Sequence, residues 1–286
     1  MFDEYRPADF AAVAAFARRQ PEFDYLKAII RAHGEFRVRG ACAVWREADR
    51  VVAFCAVAFP NPRDAWLYGM RVDDRFKGQG IATRLTRALF GLARQAGRTW
   101  VALDTKDVAS KAPVFRICDR LGMSHLTTHA TTMLWNHELG FVRPRLEPAP
   151  GPWPCTGVRL MMRQRFPLWI WERPAAGPRL SLLAGTRVRV EYDVCPDRRW
   201  AIVNAAERPP DTKAFVHSLL GLADGRHRGV VLVSPAAWQP ALRRAARALV
   251  PGLVRGVNSS FDAWRIYGRR LRSESRRRSA QFRPPI

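Results

Sequence analysis

The sequence predicts a mixed α/β protein, with a sheet carrying helices on both faces over residues 1–135 followed by a second, smaller α/β domain. Three observations predict it. Apolar residues recur at helical and strand spacing in the order α, α, β, β, β, loop, α, β, α, β. A segment at 140–156, with prolines at 144, 148, 150, 152 and 154, then breaks the pattern. Beyond it the alternation resumes.

Phe10, Val13, Phe16 and Ala17 share one helical face within 9–19, and Leu26, Ile29 and Ile30 do so within 23–32, predicting two short helices. Two apolar, β-rich runs at 41–47 and 50–59 flank a polar turn and predict a hairpin, and Pro60-Asn61-Pro62 makes a loop. Residues 66–72 alternate as a strand, with Trp66, Tyr68, Met70 and Val72 on one face. Gly69 inside that strand predicts a bulge or a close approach of another molecule to the backbone. Residues 79–95 put Ile81, Leu85, Leu89 and Leu92 on one helical face, with Gly97 as the stop. A buried strand is expected at 99–105, a helix at 110–121 ending before Gly122, and a Thr-rich strand at 124–135.

The expected domains are 1–139 and 157–268, joined by the linker 140–156. In the second, strands are predicted at 186–192, 200–204, 229–234 and 261–267, and helices at 212–222 and 236–249. Its β-α-β order echoes the first domain but lacks a glycine loop. From Arg265 onward there are eight arginines against the single acid Glu274, so 269–286 is expected to be a disordered, exposed basic tail.

The formal charge is +23, of which +7 falls on residues 1–143 and +16 on 144–286. A field this positive attracts polyanions, although an Arg-, Ala- and Pro-rich genome would leave the same imprint. The longest uninterrupted apolar run, 51–59, is far short of the roughly 20 residues that span a bilayer. Asp3, Glu4 and Asp9 stand where a secretory leader needs positive charge, so a cytoplasmic protein is expected. Cys42, Cys55, Cys118, Cys155 and Cys195 are scattered and never form CxxC, which argues for reduced thiols. His125 and His129 would share one face of a strand, yet no Cys or carboxylate lies near in sequence, so no metal is expected.

The segment Arg75-Phe76-Lys77-Gly78-Gln79-Gly80 lies between a predicted strand and a predicted helix. A glycine-rich turn opening a helix offers unpaired N–H groups and the positive end of the helix dipole to phosphate oxygens. Arg75 and Lys77 add charge. A plain capping turn is the ordinary alternative. Walker A fails because no Gly-Lys-Ser/Thr follows, and the dinucleotide pattern fails for want of a third glycine.

The string 68–82, YGMRVDDRFKGQGIA, resembles the acetyl-CoA-binding motif of the GNAT superfamily of N-acetyltransferases, whose core is Arg/Gln-x-x-Gly-x-Gly/Ala. Arg75, Gly78 and Gly80 fill that core. Residues 114–123, VFRICDRLGM, are similar to the family's second motif, a helix closing in Leu-Gly-Phe. The second half has a looser likeness, at 200–204 and 262–267, to the plant hookless-like group of N-acetyltransferases, which carry an extra C-terminal domain.

The resemblance implies a mostly antiparallel sheet and an acetyltransferase that moves an acetyl group from acetyl-CoA, its cosubstrate, to an amine by direct attack. The backbone of Met70, Arg71 and Val72 would then bind the pantetheine arm like an added strand. The loop and first turn formed by Arg75, Lys77, Gly78, Gln79, Gly80, Ile81 and Ala82 would hold the pyrophosphate. A bulge at Gly69 would free an N–H, such as that of Met70, to polarise the thioester carbonyl. The family's usual acid, a Tyr four residues before the second motif's glycine, is Cys118 here; either this thiol protonates the thiolate or it is a buried helix residue. Lys111 replaces the family's Asn at the start of that helix and could meet a phosphate. Asp104 and Tyr68 are the candidates for the base, with a supporting hydrogen bond as the plainer role for Asp104. The alternative is a catalytically impaired acyl-CoA-binding scaffold or sensor whose basic C-terminal half engages nucleic acid or another polyanion.

Overall fold

The computed structural model describes residues 1–19, 23–34, 38–135, 144–149, 161–165, 168–172, 180–192, 200–205, 207–222, 229–249 and 261–271. In chain order the elements are β1 (Phe2–Glu4), α1 (Phe10–Ala17), α2 (Phe23–Gly34), β2 (Gly40–Glu47), β3 (Arg50–Ala58), β4 (Asp64–Val72), α3 (Ile81–Gln95), β5 (Trp100–Lys106), α4 (Ala112–Arg120) and β6 (Ser124–Trp135). They continue with β7 (Glu147–Ala149), β8 (Met161–Arg165), β9 (Leu168–Glu172), β10 (Leu180–Leu183), β11 (Thr186–Tyr192), β12 (Trp200–Ala205), α5 (Thr212–Leu222), β13 (Gly229–Pro235), α6 (Gln239–Leu249) and β14 (Phe261–Arg270).

Two compact units emerge, one of Met1–His125, Arg165–Ile170 and Ile266–Ile286, the other of Leu126–Gln164 and Trp171–Arg265. The expected limits at 139 and 157 follow composition along the chain, whereas the units interleave. Strand β14 returns from the far end of the sequence to the first unit, and β6 from Leu126 on serves the second. Such long-range strand placement leaves no local signal. The start of the expected tail is corrected as well. Arg269 and Arg270 lie in β14, Leu271 is buried, and its N–H donates to the Thr99 carbonyl at 2.8 Å. Residues 272–286 lie outside the described residues, as do Cys155, Cys195 and most of the expected linker, although 147–149 forms β7.

The strand order is β1-β2-β3-β4-β5-β14 in the first unit and β7-β10-β11-β12-β13-β6 in the second, while β8 and β9 pair separately. In the first unit β1/β2, β2/β3 and β3/β4 are antiparallel and β4/β5 is parallel. In the second, β7/β10, β10/β11, β11/β12 and β13/β6 are antiparallel and β12/β13 is parallel. Each parallel pair is joined by a helix, α3 or α5, as parallel strands require. The units therefore repeat one topology. Even the hairpins match: Ala48-Asp49 joins β2 to β3 and Ala184-Gly185 joins β10 to β11, all four residues having positive φ as in type I′ turns.

The first core gathers Val52, Val57, Ala65 and Leu67 from the sheet against Ile81, Leu85 and Leu89 of α3, with Cys118 and Leu121 from the α4 end and Tyr267 from β14. Leu85 and Leu89 are fully buried, each contributing about 1.5–3 kcal/mol by leaving water. Their four-residue spacing locks α3 against the sheet, which sets where its N-terminus lies. The second core packs Phe215, Leu219 and Leu220 of α5 with Leu242 and Ala246 of α6 against Val203, Val230 and Leu232.

Candidate active site

The parallel pairing of β4 with β5 has four rungs, Asp64↔Trp100, Ala65↔Val101, Trp66↔Ala102 and Leu67↔Leu103. There it ends, although β4 runs on to Val72 and β5 to Lys106. The two strands thus part at Tyr68 and Asp104. On the other side of β4, Phe54 pairs with Arg71 but Ala56 with Tyr68, so β4 spends three steps where β3 spends two. This is the expected bulge, and Gly69 sits in it with φ +71°. A Cβ there would also lie 2.4 Å from Ile29 Cδ1 on α2. Conformation and packing both demand glycine.

Past β4, the buried Asp73 organises the loop. Its backbone N–H donates to Val52 O at 2.8 Å, and its carboxylate accepts the Arg75 N–H at 3.2 Å and the Arg75 guanidinium through Nε at 3.2 Å and Nη2 at 2.6 Å. Arg50 Nη2 stands 3.6 Å away. The Arg75 hydrogen bonds hold the Asp73 carboxyl below its usual range, outweighing burial, which acts the other way. Arg75 is accordingly engaged in bracing the loop, and Lys77 pairs with Asp74.

Gly78 and Gly80 both have left-handed φ, +78° and +75°. Gly80 is the N-cap of α3, its carbonyl accepting the Arg84 N–H at 3.0 Å, and no side chain caps the helix. A 15-residue helix therefore opens with N–H groups that no cap side chain takes, at Ile81, Ala82 and Thr83. Arg84 steadies this turn by donating from Nη1 to Gln79 O at 3.0 Å while its guanidinium lies 5.0 Å from the Trp45 ring centre. The Gln79 amide donates to Arg75 O at 3.3 Å.

The predicted side chains divide. Asp104 Oδ1 accepts the Trp66 indole N–H at 3.0 Å, and this tie crosses the strands beside their last rungs. Cys118 is 0% exposed inside the first core, and burial pushes its thiol up to about 12, so it packs as a small apolar helix residue. Lys111 is half-buried as the N-cap of α4. Met70 and Val72 pack against the core, and Arg71 Nη1 donates to Met70 O at 2.9 Å.

Tyr68, the first residue of β4 beyond the last rung, is buried, and its hydroxyl hydrogen-bonds His33 Nε2. The two rings lie nearly parallel at 18°, with centroids 5.9 Å apart. Burial drives the His33 imidazole down to about 4, against a hydrogen bond to the Val38 backbone that favours the proton. Sequence reasoning missed His33 because it closed the helix at residue 32, whereas α2 runs to Gly34. The signal was there. Ile29 and His33 are four apart and share a helix face, so one meets Gly69 and the other Tyr68. Elsewhere, His125 lies 5.5 Å from the Tyr267 ring, and no group of His, Cys, Asp and Glu suited to a metal occurs among the described residues. No described helix is long and apolar enough to cross a membrane.

No curated protein matches the chain. Among solved structures, a Thermoplasma acidophilum protein described as an acetyltransferase aligns over 95% of this chain and 100% of its own, with 14% identity and a TM-score of 0.55. It shares the fold across both units. Ard1 from Thermoplasma volcanium aligns over 45% of this chain and 84% of its own at 22% identity and a TM-score of 0.39. The ribosomal-protein-S18-alanine N-acetyltransferase of Escherichia coli aligns over 45% and 79% at 19% identity and a TM-score of 0.39. The model of the acetyltransferase (GNAT) family matches residues 2–112, which include the parted strands, the glycine loop and α3. The likeness to the acetyltransferase (GNAT) family thus falls on residues 2–112, within the first unit.

Proposed function

We propose that the protein is an N-acetyltransferase that takes its acetyl group from acetyl-CoA and gives it to an amine in a ternary complex. One observation carries this reading: the β4–β5 pairing stops at Leu67/Leu103, and β4 then leads into a helix start whose N-cap is glycine. That combination suits a thioester on a long arm ending in a pyrophosphate. The N–H groups from Gly78 to Ala82 would hold the pyrophosphate, favoured by the α3 dipole, with Lys77 adding charge. The opened edge of β4 at Met70, Arg71 and Val72 would take the pantetheine arm as a strand, and the Met70 N–H beside the bulge would polarise the thioester carbonyl.

The amine nitrogen attacks the carbonyl carbon, the C–N bond forms, the C–S bond breaks, and the electron pair leaves on sulfur. The nitrogen's surplus proton ends on that sulfur, so thioester and amine become amide and thiol. Tyr68 is the residue assigned to receive the N–H of the attacking amine. Cys118 is not assigned as the acid, because its thiol is sealed in the core. Asp104 is given the task of holding Trp66 where the strands part. The acceptor is an amine in a cytoplasmic setting.

Thiol release from acetyl-CoA across a panel of primary amines tests the reading. Saturable, amine-dependent release that Gly80→Trp abolishes is the expected result. Amine-independent release, or full activity in Gly80→Trp, would overturn it.

A further inference from the structure

We infer that His33 is a positioning residue for the proposed acetyl transfer: its Nε2 accepts the Tyr68 phenolic hydrogen, so that the Tyr68 oxygen turns its lone pairs toward the incoming amine. This inference rests on the function proposed above. Tyr68 is the first β4 residue past the last β4–β5 rung, and a phenol there has one hydrogen and two lone pairs to distribute. Left to rotate, the hydroxyl would offer an amine either a donor or an acceptor. A fixed acceptor on His33 removes the choice.

The surroundings of His33 are built to hold the ring still. Ile29, one turn earlier on α2, fills the space above Gly69 that any Cβ would occupy. Gly40 clears the other side, since a Cβ on it would stand 2.9 Å from His33 Cε1. The backbone of Val38 supplies the second hydrogen bond to the ring. Because the Val38 hydrogen bond favours the protonated ring, Val38 accepts there; assigning it the Nδ1–H leaves Nε2, facing Tyr68, as an acceptor. Burial keeps the ring neutral at working pH, and a neutral ring is what this role needs, because imidazolium has no acceptor. The bond joins α2 to β4 across 35 positions of sequence, tying a helix outside the loop motif to the reacting end of the strand.

The test compares His33→Leu, which removes the acceptor, with His33→Gln, whose carbonyl can accept from the phenol but cannot hold a proton. Hydroxylamine is the acceptor probe, thiol release is the rate, and acetyl-CoA affinity is measured by calorimetry. The expected result is a fall of about tenfold in kcat/KM for hydroxylamine in His33→Leu, the scale of one lost neutral hydrogen bond, with acetyl-CoA affinity unchanged. His33→Gln recovers most of the rate, and Tyr68→Phe combined with His33→Leu is no slower than the slower single variant. Nitrogen-15 spectra of the wild-type imidazole should show Nε2 without a proton. A wild-type rate in His33→Leu, a His33→Gln as slow as His33→Leu, multiplicative losses in the double variant, or a protonated Nε2 would each overturn the inference. Wild-type protein that fails to bind acetyl-CoA overturns instead the function on which it rests, and the spectra still decide the hydrogen bond.

Discussion

The two units share a strand order, a central parallel pair joined by a helix, and left-handed two-residue hairpins, yet they differ at the point where a ligand would enter. In the first, pairing stops at Leu67/Leu103 and β4 continues to Val72. In the second, the β12–β13 rungs run from Trp200↔Gly229 to Asn204↔Val233, and β12 ends at Ala205. That sheet stays closed. The helix starts differ too. Gly80 leaves α3 uncapped, whereas Asp211 caps α5, its Oδ1 accepting the Lys213 and Ala214 N–H groups at 2.8 and 3.0 Å. A carboxylate at that place occupies the donors and repels an anion. One topology thus occurs twice, once with its central strands parted and its helix uncapped and once paired and capped, so on the proposed function the bulge and the cap, rather than the fold, would set activity.

The comparison can be broken most forcefully by giving the first unit the second unit's cap. Gly80→Asp keeps a residue that tolerates positive φ but puts a carboxylate over the α3 N-terminus. Acetyl-CoA affinity by calorimetry is expected to fall roughly 100-fold, the scale of a lost charge-assisted hydrogen bond plus repulsion. Next, Gly69→Ala attacks the bulge. The left-handed φ and the contact with Ile29 should together cost about 2–3 kcal/mol in urea unfolding, with acetyl-CoA affinity falling as well. Asp211→Ala, in the sealed unit, should cost about 1 kcal/mol of stability and leave acetyl-CoA binding untouched.

The smallest expected effect concerns a feature the units share, a carboxylate just past the central strand clamped by arginine. Asp73 is held by Arg75, and Glu207 by Arg187 through Nη2 at 2.6 Å and Nε at 3.0 Å. Both carboxyls are lowered, first by the arginine hydrogen bond. A lowered folded value stabilises above the unfolded value, about 3.9 for Asp, and that stability is lost as pH falls through the folded value. The melting-temperature gap between wild type and Asp73→Asn should therefore be full at pH 5–7 and close as pH drops below about 4.

How much of this was legible in the sequence follows from the range of each cause. Gly69, Gly78 and Gly80 spoke directly, because positive φ is a property of the residue, and the Ile81-Leu85-Leu89 face of α3 spoke through its period. All six elements expected in the second half also occur, β11 and α5 at the expected bounds and the other four with one end shifted. The short strands β1, β7 and β10 were missed, being three or four residues long. The return of β14 to the first unit could not be read, since pairing partners some 170 positions apart carry no local pattern. At the site, the loop was legible and the side chains less so. Cys118 stood at the right motif position but faces the core, and His33 reaches Tyr68 only once α2 is docked.

The most direct test is the stoichiometry of acetyl-CoA binding to the full chain. Titration calorimetry on the wild type should find one site per chain, which persists in Asp211→Ala and is lost over the same concentration range in Gly80→Asp. Two sites per chain, no site, or a Gly80→Asp isotherm identical to wild type would contradict the account.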